Sequence, residues 1–280
     1  MSAEKSGVDG TANPQPKVVL FADILGFAAL IEQHELDVPS LRNSERLDTI
    51  FGSIFKKNPL THAFTEFHRA IQWGLRLSQL RHSATAITFS DSAFIATTRL
   101  SEAAGIAIYL MQSLMRREIP LRIGIAYGSF EAVRFRSDIT ADSGDHAAQF
   151  LGAGVVRAHL TESCGIKGCR ILLHPSAAAL LEDPAHNPIL PSEPHVSCIS
   201  CAASECENRA GVRSEINYWS LKPTEEKETW RAFQSMWDSA PEAEYPHYQA
   251  TAEAINRMRM ARGAKCNVDL RRRTLERERT

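Results

Sequence analysis

Long hydrophobic runs are missing from this 280-residue chain, so no segment is expected to cross a bilayer as a helix. A hydrophobic signal core is also missing from the polar stretch 1–15, and secretion is not expected. Cysteine is scarce: six residues in a chain of this size do not make a disulfide scaffold, and a reduced, cytoplasmic protein is the expectation. Net charge is nearly absent, at -1, so no global field favours nucleic acid or a membrane surface. No nucleophile-elbow pattern appears, and no segment repeats. What remains is ordinary globular composition, 44% apolar and 23% charged, enough for one large domain or one domain with an appendage. Basic charge gathers only at the end. From Arg257 onward there are nine Lys or Arg against three Asp or Glu, a local excess of six. A solvated helix end with a loose tail accounts for that excess; an arm for an anionic partner is the sharper alternative.

The pattern divides the chain into a disordered N-terminus at 1–16, a main domain at 17–221, a helical appendage at 222–264 and a basic flexible tail at 265–280. Strands are expected over Lys17–Asp23, Ala84–Phe89, Ala93–Thr98, Leu121–Tyr127, Ser129–Arg136, Cys169–Leu173 and Ile216–Leu221. Helices are expected from Leu25 to about Glu35, from Asn58-Pro59 to about Arg81, and over Ser101–Arg117, His146–Glu162, Thr224–Ser239 and Pro246–Arg262. Gly152 and Gly154 weaken the fourth of these, and imply that another backbone or a ligand comes close. Residues 184–214 read as an irregular insert. The fold class is α+β: a ferredoxin-like, mostly antiparallel sheet with helices on one face, plus C-terminal helices.

Two carboxylates stand out. Asp23 ends a buried strand and is followed by Gly26, where the backbone must turn. Asp91 sits at the tip of a hairpin, Phe89-Ser90-Asp91-Ser92. As a helix cap, Asp23 would be unremarkable. If the hairpin lies beside the first strand, the two carboxylates converge, and they would repel unless a divalent cation lay between them. Hard cations such as Mg²⁺ and Mn²⁺ take oxygen ligands and bind substrate phosphates as well.

Four segments, in order, carry a resemblance. Phe21-Ala22-Asp23-Ile24-Leu25-Gly26-Phe27 is similar to the metal motif of class III nucleotidyl cyclases, and Ser90-Asp91-Ser92 to the hairpin of their second metal aspartate. Leu121-Arg122-Ile123-Gly124-Ile125-Ala126-Tyr127-Gly128 resembles their Arg-x-Gly-Ile strand, and Gly152 through Glu162 their Gly- and Ala-rich helix. The resemblance covers roughly residues 17–175. It implies a head-to-tail homodimer with active sites at the seam and two Mn²⁺ or Mg²⁺ ions per site. Asp23, Asp91 and the Ile24 carbonyl would hold the ions. Backbone N–H groups of Leu25, Gly26 and Phe27 would hold a triphosphate.

The departures are informative too. Family adenylate cyclases carry a Lys four residues before the second metal Asp to read adenine; here the position is Ile87. Their helix carries an Asn and a later Arg; aligned on Gly152, those positions are Val156 and Leu160. A catalytically silent nucleotide- or partner-binding module is one account, and an atypical adenylate or guanylate cyclase another. The account favoured by the two retained aspartates is a remodelled pocket. The run Gly152…Ala158-His159-Leu160-Thr161-Glu162…Cys169-Arg170-Ile171-Leu172 looks like the bacterial Pycsar pyrimidine cyclases of antiphage defence. That resemblance implies UTP or CTP as substrate and cyclic UMP or cyclic CMP as product, with UTP preferred. Ile87, Phe89 and Arg99 are candidates for the base by position. Arg122, Arg157 and Arg170 are candidates for phosphate or transition-state charge. His195, Cys198, Cys201 and Cys206 lack a standard zinc spacing and read as scattered thiols. Trp230, Phe233, Trp237, Tyr245 and Tyr248 read as helix packing.

Overall fold

Along the first strand, Val18, Leu20, Ala22 and Ile24 point to one face and Val19 and Phe21 to the other, and both sets are buried. That places strand β1 (Pro16–Ile24) in the middle of a sheet covered on both sides. This computed structural model describes residues 15–34, 58–79, 84–136, 146–186, 196–198, 210–219 and 222–270. Expectations that fall on 1–14, 35–57, 137–145, 271–280 and most of the insert, including His195, Cys201 and Cys206, lie outside the described residues.

Around β1 the chain builds one seven-stranded sheet, in the order β2-β3-β1-β4-β7-β9-β8. The strands are β2 (Thr85–Thr88), β3 (Ser92–Thr97), β4 (Leu121–Ser129), β7 (Ile171–Leu173), β8 (Val196–Cys198) and β9 (Ser214–Ile216). Only β4 with β7 is parallel; the other five pairings are antiparallel. The α+β class with a mostly antiparallel sheet holds.

The main helical layer packs on the Leu20 face. Helix α1 (Phe27–Gln33) is short. Helix α2 (Pro59–Gln79) starts with Pro59 at its first position, and the Asn58 side chain accepts a hydrogen bond from Thr61 N at 3.1 Å. Its Leu60, Ala63, Phe67, Ala70 and Ile71 recur at helical spacing and are buried. They meet helix α3 (Leu100–Met115), which buries Ala103, Ile106, Ala107, Leu110, Met111 and Leu114.

One helix lies on the opposite face. Helix α4 covers Ala153–Glu162 only. The stretch expected to begin that helix, from His146, is instead strand β6 (His146–Leu151), paired with β5 (Glu131–Arg136) in a separate two-stranded ribbon. Gly152, at φ 127°, makes the break, in a backbone region that L side chains rarely adopt. Ser129–Arg136 is likewise not a neighbour of β4 in the main sheet, because its partner is β6. The last strand is also shorter and earlier than expected, at Ser214–Ile216.

Helix α4 sits directly on β4 because β4 has no side chains at Gly124 and Gly128. A Cβ on Gly124 would lie 2.3 Å from the Ala158 carbonyl oxygen, and one on Gly128 2.7 Å from Gly154 N. The helix therefore runs from Gly128 at its N-terminal end to Gly124 at its C-terminal end, which carries Glu162 towards Asp23.

A short helix α5 (Pro175–Ala178) follows β7. The chain closes with α6 (Pro223–Ser239), a 3-10 turn (Glu242–Glu244) and α7 (Tyr245–Ala261). Their Phe233, Met236, Trp237, Tyr248, Ile255 and Met258 join the same core as the sheet. Trp237 stacks on Tyr245 at 4.4 Å and Phe233 on Tyr248 at 5.7 Å, so the aromatic cluster is helix packing.

Candidate active site

The register of β1 with β3 sets Asp23 opposite Ser92, one residue beyond Asp91. The hairpin is held there by Ile24 N–H, which donates to the Asp91 carbonyl at 3.0 Å, and closed by Phe89 N–H donating to Ser92 O at 2.7 Å. Ser90 Oγ–H donates to Asp91 Oδ1 at 3.0 Å. On the other side β4 sets Arg122 opposite Asp23. Side chains alternate along a strand, so Asp23, Phe21 and Arg122 all face α4.

From α4, Glu162 meets that guanidinium. Arg122 Nε donates to Glu162 Oε1 at 2.6 Å, and Arg122 Nη2 lies 2.5 Å from the same oxygen. Asp23 and Glu162 therefore share one arginine, and Glu162 holds it. Asp23 shows the consequence: its carboxyl is pushed up from 3.8 to about 7. Burial is the largest cause, the negative charges of Glu162 and Asp91 follow, and Arg122 opposes them. Glu162 was not among the residues singled out from sequence. Its one signal is the pair of glycines four apart in β4, which admits a helix lying across the strand.

Beside the carboxylates lies an aromatic shelf. Phe21 and Phe94 are 4.4 Å apart between ring centroids, Phe89 meets Phe94 edge-on at 6.4 Å, and His159 of α4 lies 5.1 Å from Phe21. Ile87 pairs with Phe94 across the hairpin and so shares its face. Phe89 is 48% exposed.

The chain thus brings Asp23, Asp91, Ile87, Phe89 and Arg122 to one end and one face of the sheet. Three expected site residues are placed elsewhere. Arg99 caps α3 beyond the far end of β3, at least five residues or roughly 17 Å along the strands from Asp23. It is exposed and pairs with Glu102 at 3.9 Å. Arg157 lies over the same far end and donates to the Tyr127 carbonyl at 3.0 Å. Arg170 is buried in an ion pair with Glu215, which Arg257 also meets at 3.2 Å. Within one protomer, strand direction sets Arg99 and Arg157 apart from Asp23, and Arg170 is held by Glu215.

The turn Leu25–Gly26 leads into α1, with Gly26 at φ 78°. Leu25 N–H is engaged, donating to Pro120 O at 3.0 Å. Phe27 is buried, and Ile24 is a core residue.

The resemblance implies a divalent metal. Among the described residues no group of three or more His, Cys, Asp or Glu side chains is arranged to hold one. The Asp23–Asp91 pair nevertheless fits such an ion. Its donors are oxygens, its negative charge is only partly offset by Arg122, which Glu162 also engages, and an ion of this class takes its remaining ligands from water and phosphate.

No protein-family model matches the chain, and no curated protein matches its sequence. Solved structures do resemble it. A bacterial light-regulated adenylyl cyclase is 12% identical, over 81% of this chain and 59% of that one, with a TM-score of 0.48; the chain thus spans 59% of that protein's length. The guanylate cyclase domain of RhGC from Catenaria anguillulae, in complex with GTP, is 14% identical over 73% and 97%, with a TM-score of 0.46. The adenylyl cyclase CyaB from P. aeruginosa is 16% identical over 72% and 94%, with a TM-score of 0.44.

Proposed function

We propose that this chain is a nucleotidyl cyclase that converts UTP, or CTP, to the 3′,5′-cyclic monophosphate and pyrophosphate. The observation that carries the proposal is the meeting of Asp23 and Asp91 at the end of β1, with charge only partly offset by Arg122, beside an aromatic shelf. The metal-motif resemblance gives that pair its role.

In this reading Asp23 and Asp91 hold Mn²⁺ or Mg²⁺, two ions per site, with the Ile24 carbonyl. Bound there, the metal would lower the pKa of the ribose 3′-hydroxyl and offset charge on the leaving pyrophosphate. The hydroxyl oxygen attacks the α-phosphorus, its proton passes to solvent water, and the bond from the α-phosphorus to the bridging oxygen of pyrophosphate breaks. Arg122 is the one candidate arginine beside Asp23, so it is assigned the charge that builds on the phosphoryl group. Of the three turn amides, Gly26 and Phe27 are assigned the triphosphate, since Leu25 N–H is already engaged. Ile87 and Phe89 are assigned the base. An isoleucine offers adenine no hydrogen bond in place of the family's lysine, which favours the pyrimidine reading over an adenylate cyclase.

A head-to-tail homodimer belongs to the same proposal. On α4, Val156 and Leu160 are 58% and 49% exposed, one helical turn apart. They occupy the two positions where the family carries its Asn and Arg, and an apolar pair left in water there is consistent with a covering partner. A role in antiphage signalling follows from the Pycsar resemblance alone. The cyclase assay with Asp23→Ala and Asp91→Ala controls tests the reaction; turnover retained by either variant would remove the metal assignment.

A further inference from the structure

The C-terminal helices reach the active-site turn. Between α6 and α7, the 3-10 turn ending in Glu244 crosses the mouth of the Leu25–Gly26 turn. Glu244 Oε1 lies 3.4 Å from where a Cβ on Gly26 would stand, so the carboxylate packs against the turn at contact distance. Among the described residues the Glu244 carboxylate has no hydrogen-bond donor and no cation. Its pKa is raised by burial, with no opposing interaction.

Open space flanks the contact on both sides. A cavity of about 200 Å³ runs from it towards Cys169 and Thr251, and one of about 730 Å³ runs towards α1 and α2. Both are walled by Gly26, Glu244 and Tyr248. The helices therefore touch the turn as a narrow bridge across a gap. A small shift of the 3-10 turn would lift the carboxylate away.

We propose that Glu244 is an autoinhibitory contact, a negative charge set by the C-terminal helices against the turn that receives the substrate's triphosphate. This rests on the reading of the Gly26 turn as the phosphate seat. Phosphate and the Glu244 carboxylate compete for one place. Any ligand or partner that moves the 3-10 turn outward then raises phosphate affinity, and bound triphosphate pushes that turn outward in return.

The test is calorimetric titration of the full chain with Mg²⁺-tripolyphosphate at pH about 8, well above the usual carboxylate range. Wild type, Glu244→Gln and Glu244→Asp are compared, with thermal melts to confirm that each is folded. Glu244→Gln is expected to bind about tenfold more tightly, since one unit charge at contact range is removed. Glu244→Asp, with its charge drawn back, is expected to fall between. The gap should narrow with added salt, as an electrostatic effect is screened. Equal or weaker binding by folded Glu244→Gln overturns the proposal and leaves the phosphate seat standing. Absence of tripolyphosphate binding in all three proteins overturns the phosphate seat itself, and the proposal with it.

Discussion

Asp23 carries the clearest physical signature in the molecule. Its folded pKa is about 7 against 3.8 for the free group. Between those values the folded protein binds more protons than the unfolded chain, so stability falls as pH rises from about 4 through 7 and then levels. Chemical denaturation of metal-free protein across that range should show the decline. Asp23→Asn should remove most of it, and Mg²⁺ or Mn²⁺ should restore stability to wild type at high pH but not to the variant. On activity, Asp23→Ala and Asp91→Ala should each cost at least roughly 10²–10³-fold in turnover while leaving the fold intact, read by product formation and circular dichroism. Each aspartate is conspicuous in the sequence because it follows an apolar strand at a break, and the register of β1 with β3 brings the two to one end of the sheet. The placement of Arg99, Arg157 and Arg170 is not legible there. A sequence gives an arginine's order in the chain, but not which end of a strand it flanks, nor that Glu215 lies buried beside Arg170.

The contact between α4 and β4 decides where Glu162, and through it Arg122, can stand. Gly124 is the tightest point, and Gly124→Ala forces a Cβ against the Ala158 carbonyl and Glu162 N. A loss of about 1–3 kcal/mol is expected in denaturant titration, together with reduced activity. Gly105 is the control. It lies within α3, and a Cβ there meets nothing within 4 Å, so Gly105→Ala should stabilise by about 0.4–1 kcal/mol. Elements with a strong periodic signal were readable, α2 and the hairpin above all. The Ala-rich run from His146 to Glu162 was misread as one helix. Its composition suits a helix, but pairing with β5 claims the first six residues and Gly152 ends the strand. Glu244 gives no sequence signal, because its proximity to Gly26 depends on the path of two helices that begin only at Pro223 and Tyr245.

At the scale of the whole molecule, the C-terminal helices share the sheet's core instead of hanging from it. Cys169 N–H donates to Thr251 Oγ at 2.8 Å, Tyr218 O–H donates to the Cys169 carbonyl at 2.7 Å, and Arg257 of α7 meets Glu215 of β9. Unfolding in denaturant should therefore be a single transition by fluorescence and circular dichroism. Arg170→Met, which leaves Glu215 buried with one arginine, should shift that transition by about 3 kcal/mol. The central claim is chemical, and one experiment addresses it most directly. Purified protein is incubated with Mn²⁺ and each of ATP, GTP, CTP and UTP in turn, and cyclic nucleotide and pyrophosphate are measured in equal amounts. The account predicts cyclic UMP or cyclic CMP and no cyclic purine product. Cyclic AMP or cyclic GMP would contradict the reading of Ile87, and no cyclic product from any of the four would contradict the cyclase assignment.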